Sequence, residues 1–314
     1  MDKIIKIISV VILACFVSTS INCEEVPAEQ ISFTALQQAA EVVIPELEFL
    51  TANDGIDLAF HEYVPGQIDA VLIFYHGGGA YSQAGYQHIG AGLSEKQNIL
   101  VVTPDIRGHG DSSGQRGDAP SVKQVFEDVS SFIILMKEQY PDQKLFLGGH
   151  SSGAGLVLNY SSWKKREEVS GYLFLSPQLG FRSNTQKKGN KFVYADTAPF
   201  ISNSMSGTDG NTPAVFFNYS EEVLSSTKNI GFLTVNMANA ITPEAPIKQI
   251  KQLDQPAAVW IGEKDEIFKA DKVISLFAKN KDVYTEIIED EYHLSILVKA
   301  ADYMAPWLRK EIEK

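Results

Sequence analysis

Leu145-Phe146-Leu147-Gly148-Gly149-His150-Ser151-Ser152-Gly153-Ala154-Gly155 is the stretch on which the fold turns. It begins as an apolar run of strand character and passes into a helix-forming segment that continues to about residue 165. The pattern at the junction is G-x-S-x-G. A serine on so sharp a strand-to-helix turn needs small neighbours, so that the strained backbone fits and the hydroxyl projects from the end of a sheet. The helix N-terminus beneath Ser151 favours negative charge developing there. The bare pattern occurs by chance in many chains, so its weight rests on its surroundings.

Upstream, Ala70-Val71-Leu72-Ile73-Phe74-Tyr75 is a continuous β-rich apolar run, as expected of a strand covered on both faces of a parallel sheet. Before it, residues 49–52 and 56–63 flank the turn Asn53-Asp54-Gly55 and read as an antiparallel hairpin at a sheet edge. Strand-like stretches at 99–104, 145–149 and 171–176 alternate with helical ones at 121–138 and 152–165. The rhythm resumes with a strand at 257–262, a helix at 272–279, a strand at 283–288 and a terminal helix containing 304–312. Such alternation predicts βαβ units, hence a mostly parallel central sheet with helices on both faces. The interval of about 182–244 breaks the rhythm. A plain loop of that length is implausible in a compact domain, so an inserted helical lid is expected. Its Phe192, Tyr194, Phe200, Phe216, Phe217 and Tyr219 either line an apolar pocket or pack the lid's own small core.

A serine hydroxyl is a weak nucleophile until a base takes its proton, and the base needs a carboxylate to fix its tautomer. Of six histidines (His61, His76, His88, His109, His150 and His293), only His293 follows the last expected strand, where the order serine, acid, histidine places it. His150 occupies the variable position of the turn and is expected to pack or hydrogen-bond there. For the acid, Asp265 lies just beyond the strand 257–262, with Glu263, Glu266 and Asp290 as alternatives. His76-Gly77-Gly78-Gly79 follows the strand 70–75 and offers unobstructed backbone N–H groups; the bland alternative is a flexible turn. Gly78 and Ser152, the residue after the nucleophile, are the expected pair of oxyanion donors.

Composition narrows the field. With 44% hydrophobic and 21% charged residues, the 314-residue chain has an ordinary globular balance and suits one domain with an insertion. A formal net charge of −12 without a cluster of Lys and Arg argues against nucleic acid as a partner. Lys3 and Lys6 precede an apolar run over 7–17, shorter than the roughly 20 residues that span a bilayer, followed by Ser18-Thr19-Ser20-Ile21-Asn22-Cys23. Residues 1–23 therefore read as a secretory signal, 24–46 as an N-terminal extension and 47–314 as the main domain. Both cysteines, Cys15 and Cys23, fall in the signal, so the exported domain would hold no disulfide. Lipid attachment at Cys23 is a second reading, although Ser20-Ile21-Asn22 matches poorly the small-residue pattern such sites use.

Together the pieces His76-Gly77-Gly78, Pro104-Asp105-Ile106-Arg107-Gly108-His109-Gly110-Asp111-Ser112, Gly149-His150-Ser151-Ser152-Gly153, Gly262-Glu263-Lys264-Asp265 and His293 resemble the monoacylglycerol lipase and lysophospholipase branch of the α/β-hydrolases. The likeness runs from about residue 49 to the C-terminus. It implies an α/β-hydrolase fold with Ser151, Asp265 and His293 as a triad, Gly78 and Ser152 as oxyanion donors, and a lid over an acyl pocket. By the same likeness the loop 107–112 is structural. Ser152 stands where relatives often carry a bulkier apolar residue, and the lid resembles the family least. The expected activity is hydrolysis of small or lipid acyl esters, with association to a membrane surface through the lid or a lipidated Cys23. An aminopeptidase of the same fold and a non-catalytic binding protein are the competing readings. Such chemistry requires no cofactor or metal, and no H-E-x-x-H cluster is present.

Overall fold

In the computed structural model, which describes residues 31–314, the run Ala70–Tyr75 is a strand buried along its whole length. Its side chains alternate between two cores: Val71, Ile73 and Tyr75 face one, and Ala70, Leu72 and Phe74 the other. Burial on both faces explains why the sequence shows an unbroken apolar run there instead of an alternating one. The expected export segment, with Cys15 and Cys23, lies outside the described residues.

In chain order the elements are α1 (Thr34–Gln38), β1 (Leu47–Thr51), β2 (Asp57–Tyr63), β3 (Ala70–Tyr75), α2 (Gln87–Gln97), β4 (Ile99–Pro104), α3 (Val122–Gln139), β5 (Lys144–His150), α4 (Ser152–Ser161) and β6 (Gly171–Leu175). There follow β7 (Val193–Ala195), α5 (Thr197–Ser206), β8 (Pro213–Phe217), α6 (Glu221–Ser226), β9 (Phe232–Thr234), α7 (Val235–Ala240) and α8 (Pro246–Lys251). The chain ends with β10 (Ala257–Gly262), α9 (Ala270–Phe277), β11 (Val283–Ile288) and α10 (Ile296–Ile312).

Eight strands form one sheet in the order β1-β2-β4-β3-β5-β6-β10-β11. The pairs β1–β2 and β2–β4 are antiparallel, and every pair from β4 to β11 is parallel. Helices α2 and α10 cover one face through Ile89, Leu93, Leu297 and Met304, and α3, α4 and α9 cover the other through Phe132, Leu156 and Val273. Because β3, β5, β10 and β11 run the same way, whatever follows them gathers at one edge. That edge receives His76 after β3, Ser151 after β5, Asp265 after β10 and His293 after β11.

Two features depart from the sequence expectation and one extends it. Helix α2 lies between β3 and β4, where no helix is expected from the sequence. Helix α10 contains the expected stretch 304–312 and extends it back to Ile296. The lid is not simply helical: β7, β8 and β9 form a small antiparallel sheet in that order, with α5 and α6 around it. The reason is local, since Val193-Tyr194-Ala195 and Pro213-Ala214-Val215-Phe216-Phe217 carry the branched and aromatic residues that pair across strands. Tyr194 opposes Phe216 with stacked rings 5.0 Å apart, and Val193 opposes Phe217.

Candidate active site

Ser151 sits at the turn from β5 into α4 with φ 53° and ψ −117°. Holding a non-glycine residue in such a conformation costs on the order of 1–3 kcal/mol, so the surroundings must impose it. Ser151 N–H donates to Leu175 O at 3.0 Å, and Ser151 O accepts from Gln178 N–H at 3.0 Å and Gly155 N–H at 3.1 Å. The flanking glycines are required by close approach. A Cβ on Gly149 would lie 2.4 Å from the carbonyl carbon of Gly153, and one on Gly153 would lie 2.4 Å from the carbonyl oxygens of Tyr75 and His76.

The structure separates the four candidate acids. Asp265 is fully buried, and its Oδ2 accepts from His293 Nδ1–H at 2.7 Å. Its Oδ1 accepts from the N–H groups of Ile267 at 2.9 Å and Phe268 at 2.7 Å, which fixes the carboxylate plane. With Nδ1 donating to Asp265, His293 presents Nε2 as its lone-pair nitrogen. Glu266 is also buried but reaches backbone, not ring: Oε2 accepts from His293 N–H at 2.8 Å and Oε1 from Ser32 N–H at 2.9 Å. Glu263 and Asp290 are exposed, and Asp290 pairs with Lys264 at 2.6 Å, which holds its carboxyl below the usual range.

The loop after β3 lies against the serine, since a Cβ on Gly77 would be 3.3 Å from Ser151 Cβ and one on Gly78 2.9 Å from Ser152 Oγ. Gly77 N–H is already engaged, donating to Tyr86 Oη at 2.7 Å. The N–H groups of Gly78 and Ser152 make no hydrogen bond among the described residues. Tyr86 is a residue the sequence reading passes over. Its hydroxyl accepts from Gly77 and donates to His150 Nδ1 at 2.9 Å, while His150 Nε2–H donates to His293 O at 3.0 Å. One buried chain of hydrogen bonds thus joins the loop after β3 to the backbone of His293. Nothing in the spacing marks Tyr86, which lies far from His150 in sequence and stands at the start of the unexpected helix α2.

His76 and His109 are buried supports. His76 Nδ1–H donates to Gly77 O at 2.8 Å and Nε2 accepts from Ile106 N–H at 3.0 Å. His109 Nδ1–H donates to Arg107 O at 3.0 Å. Arg107 itself, 3% exposed, forks onto Asp128 of α3 and Asp54 of the hairpin turn, so the loop 107–112 is a structural clasp. Burial pushes His76 down to about 4 and His109 down to about 3, and it pushes His150 well below the ordinary range. The unfolded chain binds protons near pH 6.5 that the folded chain refuses, so stability is whole above that pH and falls as pH drops below it. Each such histidine contributes about 1.4 kcal/mol per pH unit. Glu62 opposes this, because burial, and then Glu48, push its half-buried carboxyl up to about 7. The expected net loss between pH 6.5 and 5 is about 2–4 kcal/mol. Scanning calorimetry checks it: a Tm that holds or rises over that range would contradict the buried neutral histidines.

Above the serine lies a cavity of about 700 Å³ whose base includes Gly78, Ser151, Ser152 and His293. Such a volume suits a small organic molecule. Three of the six lid aromatics take the first of their expected roles. Phe192, Phe217 and Tyr219 line the cavity, whereas Tyr194 stacks on Phe216 at the exposed side and Phe200 packs against the core. Ile31, Phe33 and Leu36 of the N-terminal extension line it too, a contribution that their place in a polar stretch conceals. Among the described residues no three or more His, Cys, Asp or Glu side chains group as metal ligands, and no helix is long and apolar enough to cross a membrane.

An eight-stranded sheet of this order, with a serine elbow after β5 and an aspartate–histidine pair after β10 and β11, defines an α/β-hydrolase. The chain belongs to the Hydrolase_4 family, described as serine aminopeptidase, S33, whose profile matches residues 66–297. Monoglyceride lipases are among the proteins it resembles, in line with the sequence resemblance. An uncharacterized abhydrolase domain-containing protein of Dictyostelium discoideum is 27% identical over 258 residues, which covers 78% of this chain and 27% of that protein. The monoglyceride lipase of Rattus norvegicus is 26% identical over 134 residues, 43% of this chain and 44% of the lipase. The chain thus matches less than half the length of these relatives. A soluble variant of monoglyceride lipase from Saccharomyces cerevisiae, solved with a substrate analog, shares the fold with a TM-score of 0.68 at 17% identity, covering 86% of this chain and 97% of that one.

Proposed function

We propose that this hydrolase cleaves carboxylic esters through an acyl-serine intermediate, its substrate being a monoacylglycerol, a lysophospholipid or a similar small acyl ester. The observation that carries the reading is the buried Asp265–His293 pair, 2.7 Å apart, whose His293 lines the same cavity as Ser151. His293 Nε2 takes the proton of Ser151 Oγ as the oxygen bonds to the acyl carbon. The N–H groups of Gly78 and Ser152 stabilise the oxyanion, and the protonated His293 then hands its proton to the departing alcohol. Water repeats the sequence on the acyl-serine and releases the acid. Asp265 holds the ring in the tautomer that both steps use.

The family's description also raises an aminopeptidase. Such an enzyme must hold a substrate ammonium, and a buried cation needs paired charge. Among the described residues lining the cavity the charged ones are Lys191 and Glu222, with Glu222 exposed on the lid, while the wall near Gly78 is aromatic. This supports an ester with an apolar chain. The test is turnover of p-nitrophenyl acyl esters against aminoacyl p-nitroanilides, after fluorophosphonate labelling has reported the active fraction. Ester kcat/KM is expected to exceed that for the amides by about 100-fold or more. A preference for the amides would overturn the ester reading and leave the labelled serine standing. Export, and contact with a membrane surface through the lid or a lipidated Cys23, belong to the same proposal and rest on the sequence alone.

A further inference from the structure

The family profile begins at residue 66, yet the wall of the cavity begins at Ile31. The segment 31–38 is anchored at several points. Ser32 N–H donates to Glu266 Oε1 at 2.9 Å, and the other oxygen of that carboxylate accepts from His293 N–H at 2.8 Å. Ile31 is buried in the main core. Leu36 seats at Gly85, its methyl carbon 2.8 Å from where a Cβ would stand, beside Leu297 of α10. The segment is therefore fixed to the catalytic edge by a hydrogen bond and apolar packing.

Phe33 points from this strap toward the lid. Its ring centroid is 6.4 Å from that of Phe192 and 6.2 Å from that of Tyr219, and Phe192 is 5.9 Å from Phe217. Phe217 in turn reaches the loop after β3, its Cζ 2.9 Å from where a Cβ on Gly78 would stand. A continuous aromatic wall thus runs from the expected oxyanion position, along the lid, to the strap.

We propose that residues 31–38 form a specificity wall, in which Phe33 and Leu36 set the length of acyl chain the site accepts. The inference rests on the ester reading above. An acyl group with its carbonyl oxygen at Gly78 and Ser152 lays its chain along Phe217 and Phe192 and meets Phe33 beyond them. Because the strap lies outside the matched family segment, the length limit is a property of this chain's own extension.

The test is a p-nitrophenyl ester series from acetate to dodecanoate, run on the full chain and on Phe33→Ala, Phe33→Trp and Leu36→Ala. A small fluorophosphonate titrates Ser151 in each. One methylene gaining or losing its buried place is worth about fourfold in kcat/KM. Phe33→Ala and Leu36→Ala are expected to raise the decanoate-to-butyrate ratio of kcat/KM by about tenfold, and Phe33→Trp to lower it, each value taken per labelled serine. Should Phe33→Ala fail to fold, Phe33→Leu carries the same comparison with a smaller rise. An unchanged ratio in the Phe33 and Leu36 variants, with Ser151 labelled and esters turned over, overturns the wall. Absence of Ser151 labelling in the unaltered chain overturns the ester reading instead and takes the wall with it.

Discussion

Ser151→Ala is expected to abolish covalent labelling by a fluorophosphonate and to lower kcat/KM for a short acyl ester by about 10⁴–10⁶-fold, with the fold unchanged. The size of the effect follows from what remains. Without Oγ no acyl intermediate forms, but Gly78 and Ser152 still offer N–H donors and the cavity still binds the ester. Residual turnover then reflects direct attack by water with oxyanion stabilisation, which in serine hydrolases retains on the order of 10³-fold over the uncatalysed rate. The fold is spared because backbone makes the elbow. The bonds from Ser151 N–H to Leu175 O and to Ser151 O from Gln178 involve no side chain. Alanine bears the same strain at φ 53° as serine does. Labelling that survives in Ser151→Ala, traced to another residue by peptide mapping, would end the assignment of this serine as nucleophile.

The elbow was readable because its constraints are local. Gly149 and Gly153 stand two residues either side of Ser151, and both the strand before and the helix after announce themselves by pattern. The place of His293 at the same sheet edge was readable from chain order, and the parallel sheet from alternation. What escaped the sequence depends on contacts between distant segments. Helix α2 holds Gly90 and Gly92, each of which costs a helix about 1 kcal/mol against alanine and so hides it from propensity. The structure shows why they are there: a Cβ on Gly90 would lie 2.4 Å from the Tyr63 ring and one on Gly92 2.7 Å from Ala301. Helix α2 follows directly on Tyr86, whose hydroxyl completes the link between Gly77 and His150. The lid's small sheet was hidden because β7 and β9 have only three residues each, too few for a period to emerge. The strap was hidden for a third reason, since Ile31, Phe33 and Leu36 acquire meaning only when the lid folds over them.

The adjacent carboxylates Asp265 and Glu266 pose the sharpest question, because both are buried and both touch His293. Asp265→Asn is expected to lower kcat/KM by about 10⁴-fold at neutral pH. In the folded protein Oδ1 accepts two backbone N–H groups, from Ile267 and Phe268. An asparagine must keep its carbonyl oxygen there, since its amide could only present hydrogens to those donors. Its NH₂ group then faces His293 Nδ1, and the ring can accept that bond only by moving its own proton to Nε2. In that tautomer Nε2 has no lone pair for the proton of Ser151. Glu266→Gln lacks this consequence. It leaves one of two backbone N–H groups, that of Ser32 or that of His293, without an acceptor, at a cost of about 1–3 kcal/mol in stability. Its activity is expected to fall by about tenfold, through a less firmly held His293. Glu263→Gln, at an exposed side chain, is expected to match the unaltered enzyme. Steady-state kinetics across pH, paired with thermal unfolding, separate the two roles. Asp265→Asn should lose turnover by about 10⁴-fold with little loss of Tm, and Glu266→Gln should lose Tm with only about a tenfold loss of turnover. The reverse pattern, or equal losses in kcat/KM, would make Glu266 the partner that orients the base.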